Sequence, residues 1–260
     1  MKFKGLAVLN AIALGIHIGV SYLSQVRLFA KSTIGEVSDK YPSLFTPAGV
    51  TFSIWGLIYL SLIAFVVYHL RMATTKDLDH PANVDLLKIG SLFIVNNLAA
   101  VCWVVLWTNE LITVSVVFML IQLVSLMAVH TRLRIHDAKR ERASRFFTQY
   151  PLSIYFGWIS IATIANVSSW LDSISWNGWA VSEINWTLTM IAIAMLLTVW
   201  VINKRKNVFF GLVVMWAVVG IYLRYADSAP YEQIAFLCKI AVGIILAACI
   251  FGLVRNLRKR

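Results

Sequence analysis

An all-α integral membrane protein of about eight spans is what three observations predict. The chain of 260 residues is 60% hydrophobic and only 13% charged, whereas a soluble globular chain averages about 45–50% apolar and about 25% charged. Its apolar residues gather into runs of the roughly 20 residues that cross a hydrocarbon core. Its basic residues fall between those runs, with a bias to one side.

The spans are placed at roughly 4–25, 50–70, 87–107, 111–130, 150–170, 185–203, 208–224 and 234–254. The first follows Met1-Lys2-Phe3-Lys4 and is longer than the core of a signal peptide, with no clear small-residue cleavage site after it, so it is read as a retained helix. The third and fourth are joined only by Thr108-Asn109-Glu110, which predicts an antiparallel helical hairpin. A basic stretch from Arg132 to Arg145 separates the fourth and fifth. None of the spans reads as broken.

Counting Lys and Arg orients the set. With the N-terminus inside, eighteen of them lie inside and five outside; the five are Arg27, Lys31, Lys40, Arg224 and Lys239. That asymmetry predicts an even number of spans with both termini cytoplasmic. The net charge of +11 is therefore a membrane-orientation signal, and nucleic acid is not an expected partner. Cys102, Cys238 and Cys249 each lie inside an apolar run and form neither a disulfide framework nor a metal spacing. Buried packing thiols are expected.

Two outer loops stand out. Ser24 to Pro47 is the longest and ends Tyr41-Pro42-Ser43-Leu44-Phe45-Thr46-Pro47, which predicts a segment packed on the bundle mouth; lid and plain connector are both open readings. The loop from Asp172 to Glu183 brings Trp170, Trp176, Trp179 and Trp186 close in sequence. An interfacial aromatic belt is the favoured reading there over a ligand role.

Polar groups inside a membrane helix need protein or a cavity to face. In the second span Pro47 is placed at the first helical turn, and Phe52, Trp55 and Tyr59 then share one face. The third span carries Phe93, Asn96, Asn97, Ala100, Trp103 and Trp107 on one stripe, and the fifth carries Pro151, Tyr155, Trp158, Ala162, Asn166 and Ser169. Packed together, these stripes would wall a cavity with a few hydrogen-bonding groups, suited to a flat apolar ligand. Spacing alone equally allows interhelical packing. His17, Gln122 and Lys239 stand alone in their spans: His17 is read as an interhelical donor, and Lys239 as snorkelling outward. His130, His136 and Asp137 give no metal spacing, and no catalytic set, GxxxxGK[ST] loop or HExxH appears.

At these residues the chain resembles the TspO/MBR family, the tryptophan-rich sensory proteins related to the mitochondrial translocator protein. The family's second-span pattern is met by Pro47, Phe52, Trp55 and Tyr59, and its fifth-span signature by Tyr150-Pro151, Tyr155, Trp158, Ala162 and Asn166. The third span departs from it: Asn96 or Asn97 fits, but Ala99 and Ala100 stand where a Trp is usual and Trp103 comes later. The usual proline pair is reduced to Pro47. The resemblance covers about residues 3–170. It implies a five-helix TspO-like core over residues 1–172, with 173–260 as a three-helix addition.

The resemblance further implies a binding or sensory protein for a flat hydrophobic ligand, porphyrin or tetrapyrrole in type, in a cavity closed by the first loop. Some relatives bind sterols, but the sterol-recognition stretch is not evident here. The ligand-binding residues expected are Pro47, Phe52, Trp55, Tyr59, Asn97, Trp103, Tyr155, Trp158 and Asn166. Rings would stack on Trp55, Trp103 and Trp158, and Asn97 and Asn166 would meet a polar edge. No catalytic residue, metal or obligate cofactor is expected. Transport of small amphiphiles, light-dependent porphyrin degradation through Trp55 and Trp158, and a scaffold docked through the last three spans are the alternatives. The partners expected are the bilayer and the ligand, with a homodimer open, and the place expected is a bacterial cytoplasmic membrane.

Overall fold

The computed structural model describes residues 2–41, 43–135 and 141–257, all of their regular structure helical. Pro42, His136, Asp137, Lys139, Arg140, Arg258, Lys259 and Arg260 lie outside the described residues. Among the described residues, seven helices are long and apolar enough to cross a membrane. A further pair, α4 (Pro81–Ile89) and α5 (Leu92–Thr108), passes the same test jointly and makes eight.

That pair corrects the expectation of unbroken spans. α4 and α5 meet at a bend of 53°. The local cause is a start signal followed by a stop. His80 caps α4 by accepting the Ala82 N–H on Nδ1, and Pro81 sits at the first helical position. Gly90 then takes φ 57, a left-handed backbone that glycine adopts freely.

The chain folds as two compact units, Met1–Val37 with Trp55–Phe156, and Ser38–Ile54 with Gly157–Arg260. In the first, α1 (Lys2–Gln25) packs on α5, and α5 packs along α6 (Ile112–Leu133), the hairpin that the three-residue link predicts. A short α2 (Ile34–Lys40) begins here and is tied in by the Trp107 indole N–H, which donates to the Ile34 carbonyl at 3.1 Å. α3 (Ile54–Thr75) buries Ile58, Leu62, Phe65 and His69 and exposes Leu57, Leu60, Ile63 and Val67. The exposed side is as apolar as the buried one, which suits a helix with lipid on its outer face. After the single turn α7 (Arg142–Ser144), a π-helical turn at Arg145–Gln149 leads into α8 (Tyr150–Ser173). His69 Nε2 pairs with Thr148 Oγ1 of that turn at 3.0 Å.

In the second unit α9 (Glu183–Arg205), α10 (Val208–Tyr225) and α11 (Glu232–Leu257) form a three-helix group. Ser182 caps α9 by accepting the Asn185 N–H, with Glu183 in the first turn and Lys204 and Arg205 in the last, as the helix dipole favours. Asn207 caps α10 in the same way, through the Phe210 N–H. The end of the first outer loop is packed down: Ser43, Phe45, Thr46 and Pro47 are all buried. Pro47 does not open a helix. The turn that follows, a 3-10 helix at Gly49–Ser53, is capped by Ala48. The Ala48 N–H donates to the Gly220 carbonyl at 3.0 Å. Gly220 is required by this docking, because a Cβ there would lie 2.0 Å from Thr51 Oγ1. The Trp216 indole N–H donates to the Thr51 carbonyl at 3.0 Å and locks the turn to α10.

Candidate functional site

In the first unit four of the nine predicted residues, Trp55, Tyr59, Asn97 and Tyr155, come together around His17. Trp55 and Tyr59, one turn apart on α3, stack at 5.4 Å with planes 27° apart. The His17 ring of α1 meets both edge-on, at 6.4 Å from Trp55 and 5.6 Å from Tyr59. Tyr155 closes the group, 6.3 Å from Trp55. His17 and Asn97 are buried, and His17 Nδ1–H donates to Asn97 Oδ1 at 3.0 Å. Asn97 Nδ2 donates to the Phe93 carbonyl at 2.8 Å, so its amide is engaged on both sides. Its neighbour Asn96 turns the other way and donates to Gln122 O and Ser125 Oγ of α6 at 3.0 and 2.9 Å. The Tyr155 hydroxyl donates to Gln122 Oε1 at 3.3 Å. Trp55 and Tyr59 remain half-buried above this polar floor. Trp103 lies instead with Trp107, stacked at 5.7 Å.

In the second unit Phe52 and Trp158 meet edge to face at 5.9 Å, Phe52 half-buried and Trp158 buried. Asn166 is buried on α8, and Pro47 is buried ahead of the 3-10 turn.

The second unit also holds a cavity of about 690 Å³ that none of the nine predicted residues lines. Its walls are Phe45, the last three turns of α8, the loop after α8 and the start of α9. Trp176, Trp179 and Trp186 form a mutually touching triad there, with centroids 5.5, 5.5 and 6.3 Å apart. The Trp186 indole N–H donates to the Gly178 carbonyl at 2.9 Å, and the Trp179 N–H donates to Asn177 Oδ1 at 3.1 Å. Trp179 and Ala180 carry φ of 53 and 63, a left-handed backbone that is uncommon for non-glycine residues and concentrates at functional sites. The size is that of a small-molecule site. Among the described residues no cluster of three His, Cys, Asp or Glu is placed to hold a metal.

A family model described as TSPO-like protein matches residues 7–251. The chain belongs to the TSPO-like protein family. The match runs on through α9, α10 and most of α11, beyond the 3–170 stretch that carries the motif resemblance. No curated protein and no solved structure gave a match. With its family and its apolar helices, this TSPO-like protein is an integral membrane protein in contact with the bilayer.

The bond from His17 on α1 to Asn97 on α5 bears out the interhelical donor expected of that histidine; its partner, 80 positions away, is what the sequence does not name. The cavity is the feature the sequence does not announce, and its signal is three tryptophans within eleven residues across the loop after α8 and the start of α9.

Proposed function

We propose that this TSPO-like protein binds a flat hydrophobic ligand of tetrapyrrole type within the bilayer. The observation that carries the reading is the stacked, half-buried Trp55–Tyr59 pair backed by the buried His17–Asn97 pair. An indole and a phenol at that spacing offer a π-face to a planar ring. With its amide engaged on both sides, Asn97 serves by holding His17 rather than by meeting the ligand. The test is an absorbance titration with protoporphyrin in maltoside micelles. Trp55→Ala combined with Tyr59→Ala weakens binding by about tenfold or more, since stacking on both rings of the pair is lost; an unchanged Kd in a folded double variant sinks the reading. Light and dark product analysis on the same complex decides whether the bound ring is also degraded.

Transport is the second reading, and the bend between α4 and α5 favours it, because interrupted helices mark many transporter sites. Uptake into proteoliposomes, with a heat-inactivated control, separates flux from binding. The basic-residue asymmetry supports both termini on the cytoplasmic side. Labelling single cysteines placed in the first outer loop and in the α9–α10 link with an impermeant maleimide tests that orientation.

A further inference from the structure

We propose that the cavity of the second unit is a separate site for an organic ammonium ion that carries an apolar tail, independent of the tetrapyrrole reading. Its walls change character along their length. At the exposed end stand Asp172, Glu183 and Trp179, with Trp176 and Trp186 half-buried beside them. Deeper in, Ile164, Val167, Leu171 and Met190 give an apolar lining, ending on buried Phe45, Thr163 and Thr187. The lining includes two carboxylates and no Lys or Arg, in a chain whose net charge is +11.

Three touching indoles beside two carboxylates form the chemistry that recognises a bulky cation. The faces of aromatic rings attract ammonium groups, tryptophan most strongly, and quaternary ammonium ligands are bound in aromatic cages. A carboxylate supplies the compensating charge without needing a hydrogen-bond donor on the ligand. Glu183 Oε1 accepts the Leu44 N–H at 3.0 Å, which fixes the side chain at the cavity mouth. The left-handed backbone at Trp179, and the Trp186 bond to Gly178, hold the triad in place. An anionic amphiphile would meet both carboxylates, and an uncharged one would leave the indole faces unused. The ammonium and its tail could be supplied by the choline headgroup of a lipid or by a free lipophilic amine, and the two sources share the same contacts.

The test uses the full chain in maltoside micelles, with octyltrimethylammonium, octyl sulfate and octanol as probes in calorimetric titration. The ammonium probe binds saturably at one site and the other two do not. Asp172→Asn with Glu183→Gln weakens it by about tenfold or more. Asp172→Asn alone, a change at an exposed side chain, weakens it less but measurably. Protoporphyrin binding in the double variant stays unchanged, so this site and the tetrapyrrole reading fail separately. Competition by added phosphatidylcholine but not phosphatidylglycerol identifies a lipid source; no competition by either identifies a free amine. Equal binding of octyl sulfate, or an unchanged affinity in both carboxylate variants, overturns the proposal.

Discussion

Aromatic side chains do opposite things in the two units. Around His17, Trp55, Tyr59 and Tyr155 lie against one another over a hydrogen-bonded floor, with Trp55 and Tyr59 left half-buried. Around the loop after α8, Trp176, Trp179 and Trp186 meet in two T-shaped contacts and one tilted one and border a cavity of about 690 Å³. A shared helix face tells which rings point the same way. Whether they close on each other or enclose a volume depends on what the opposite element brings.

The sharpest way to break that contrast is truncation. Tyr155 is fully buried, and Tyr155→Ala should lower stability by about 3 kcal/mol or more through the cavity left behind and the loss of a partner for Gln122. Trp179 is 76% exposed, and Trp179→Ala should change stability by less than about 0.5 kcal/mol. Thermal unfolding of both variants in the same detergent checks this. Equal losses would mean that Trp179 is packed as tightly as Tyr155.

The sequence was read well where one helix decided the matter and poorly where two had to meet. Run length and charge placement located the spans, because lipid imposes both on each helix separately. The hairpin of α5 and α6 was legible because three residues allow nothing else. The bend at Gly90 was missed although His80 and Pro81 carry an ordinary helix-start signal; the apolar run across it masked the break. Asn96 and Asn97 read as one stripe, yet they serve different helices, because neighbouring positions on a helix diverge by about 100°. Trp179 and Ala180 adopt left-handed backbone that their residue types do not announce.

The buried pair under the packed cluster gives a smaller effect with a diagnostic rescue. His17→Leu leaves Asn97 Oδ1 without its donor and should cost about 1 kcal/mol, within the range of interhelical hydrogen bonds in membranes. Adding Asn97→Leu should recover part of that loss, because neither partner is then left unpaired. A double-mutant cycle on unfolding free energies measures the coupling; strictly additive losses would show that the pair does not act as a unit.

At the cavity the matching single bond is the one from Trp186 to the Gly178 carbonyl. Trp186→Phe keeps an aromatic ring and removes the donor, at a cost of about 1 kcal/mol or less. The expected readout is local: faster proteolysis within the loop after α8, at an unchanged melting midpoint. A variant whose loop resists protease as well as the parent would show that the triad is held by ring contacts alone.

The smallest effect lies at the start of α2, outside both aromatic regions, and it is read by pH. Thr33 and Glu36 form a reciprocal cap: the Thr33 N–H donates to Glu36 Oε2 at 2.8 Å, and the Glu36 N–H donates to Thr33 Oγ1 at 3.3 Å. Arg27 adds an exposed ion pair to the same carboxylate. The Thr33 backbone bond first, with Arg27 assisting, holds the Glu36 carboxyl below its ordinary value of 4.5. A carboxyl lowered in the folded state contributes stability above its unfolded value and loses it as pH falls through the folded one. Hydrogen exchange of the α2 amides, corrected for intrinsic rate, should therefore be flat from neutral pH down to that ordinary value and rise below it. Glu36→Gln should show the faster exchange at neutral pH and no acid step. Added salt should screen the Arg27 share while leaving the Thr33 cap. An acid step of the same size in Glu36→Gln would assign it to another group.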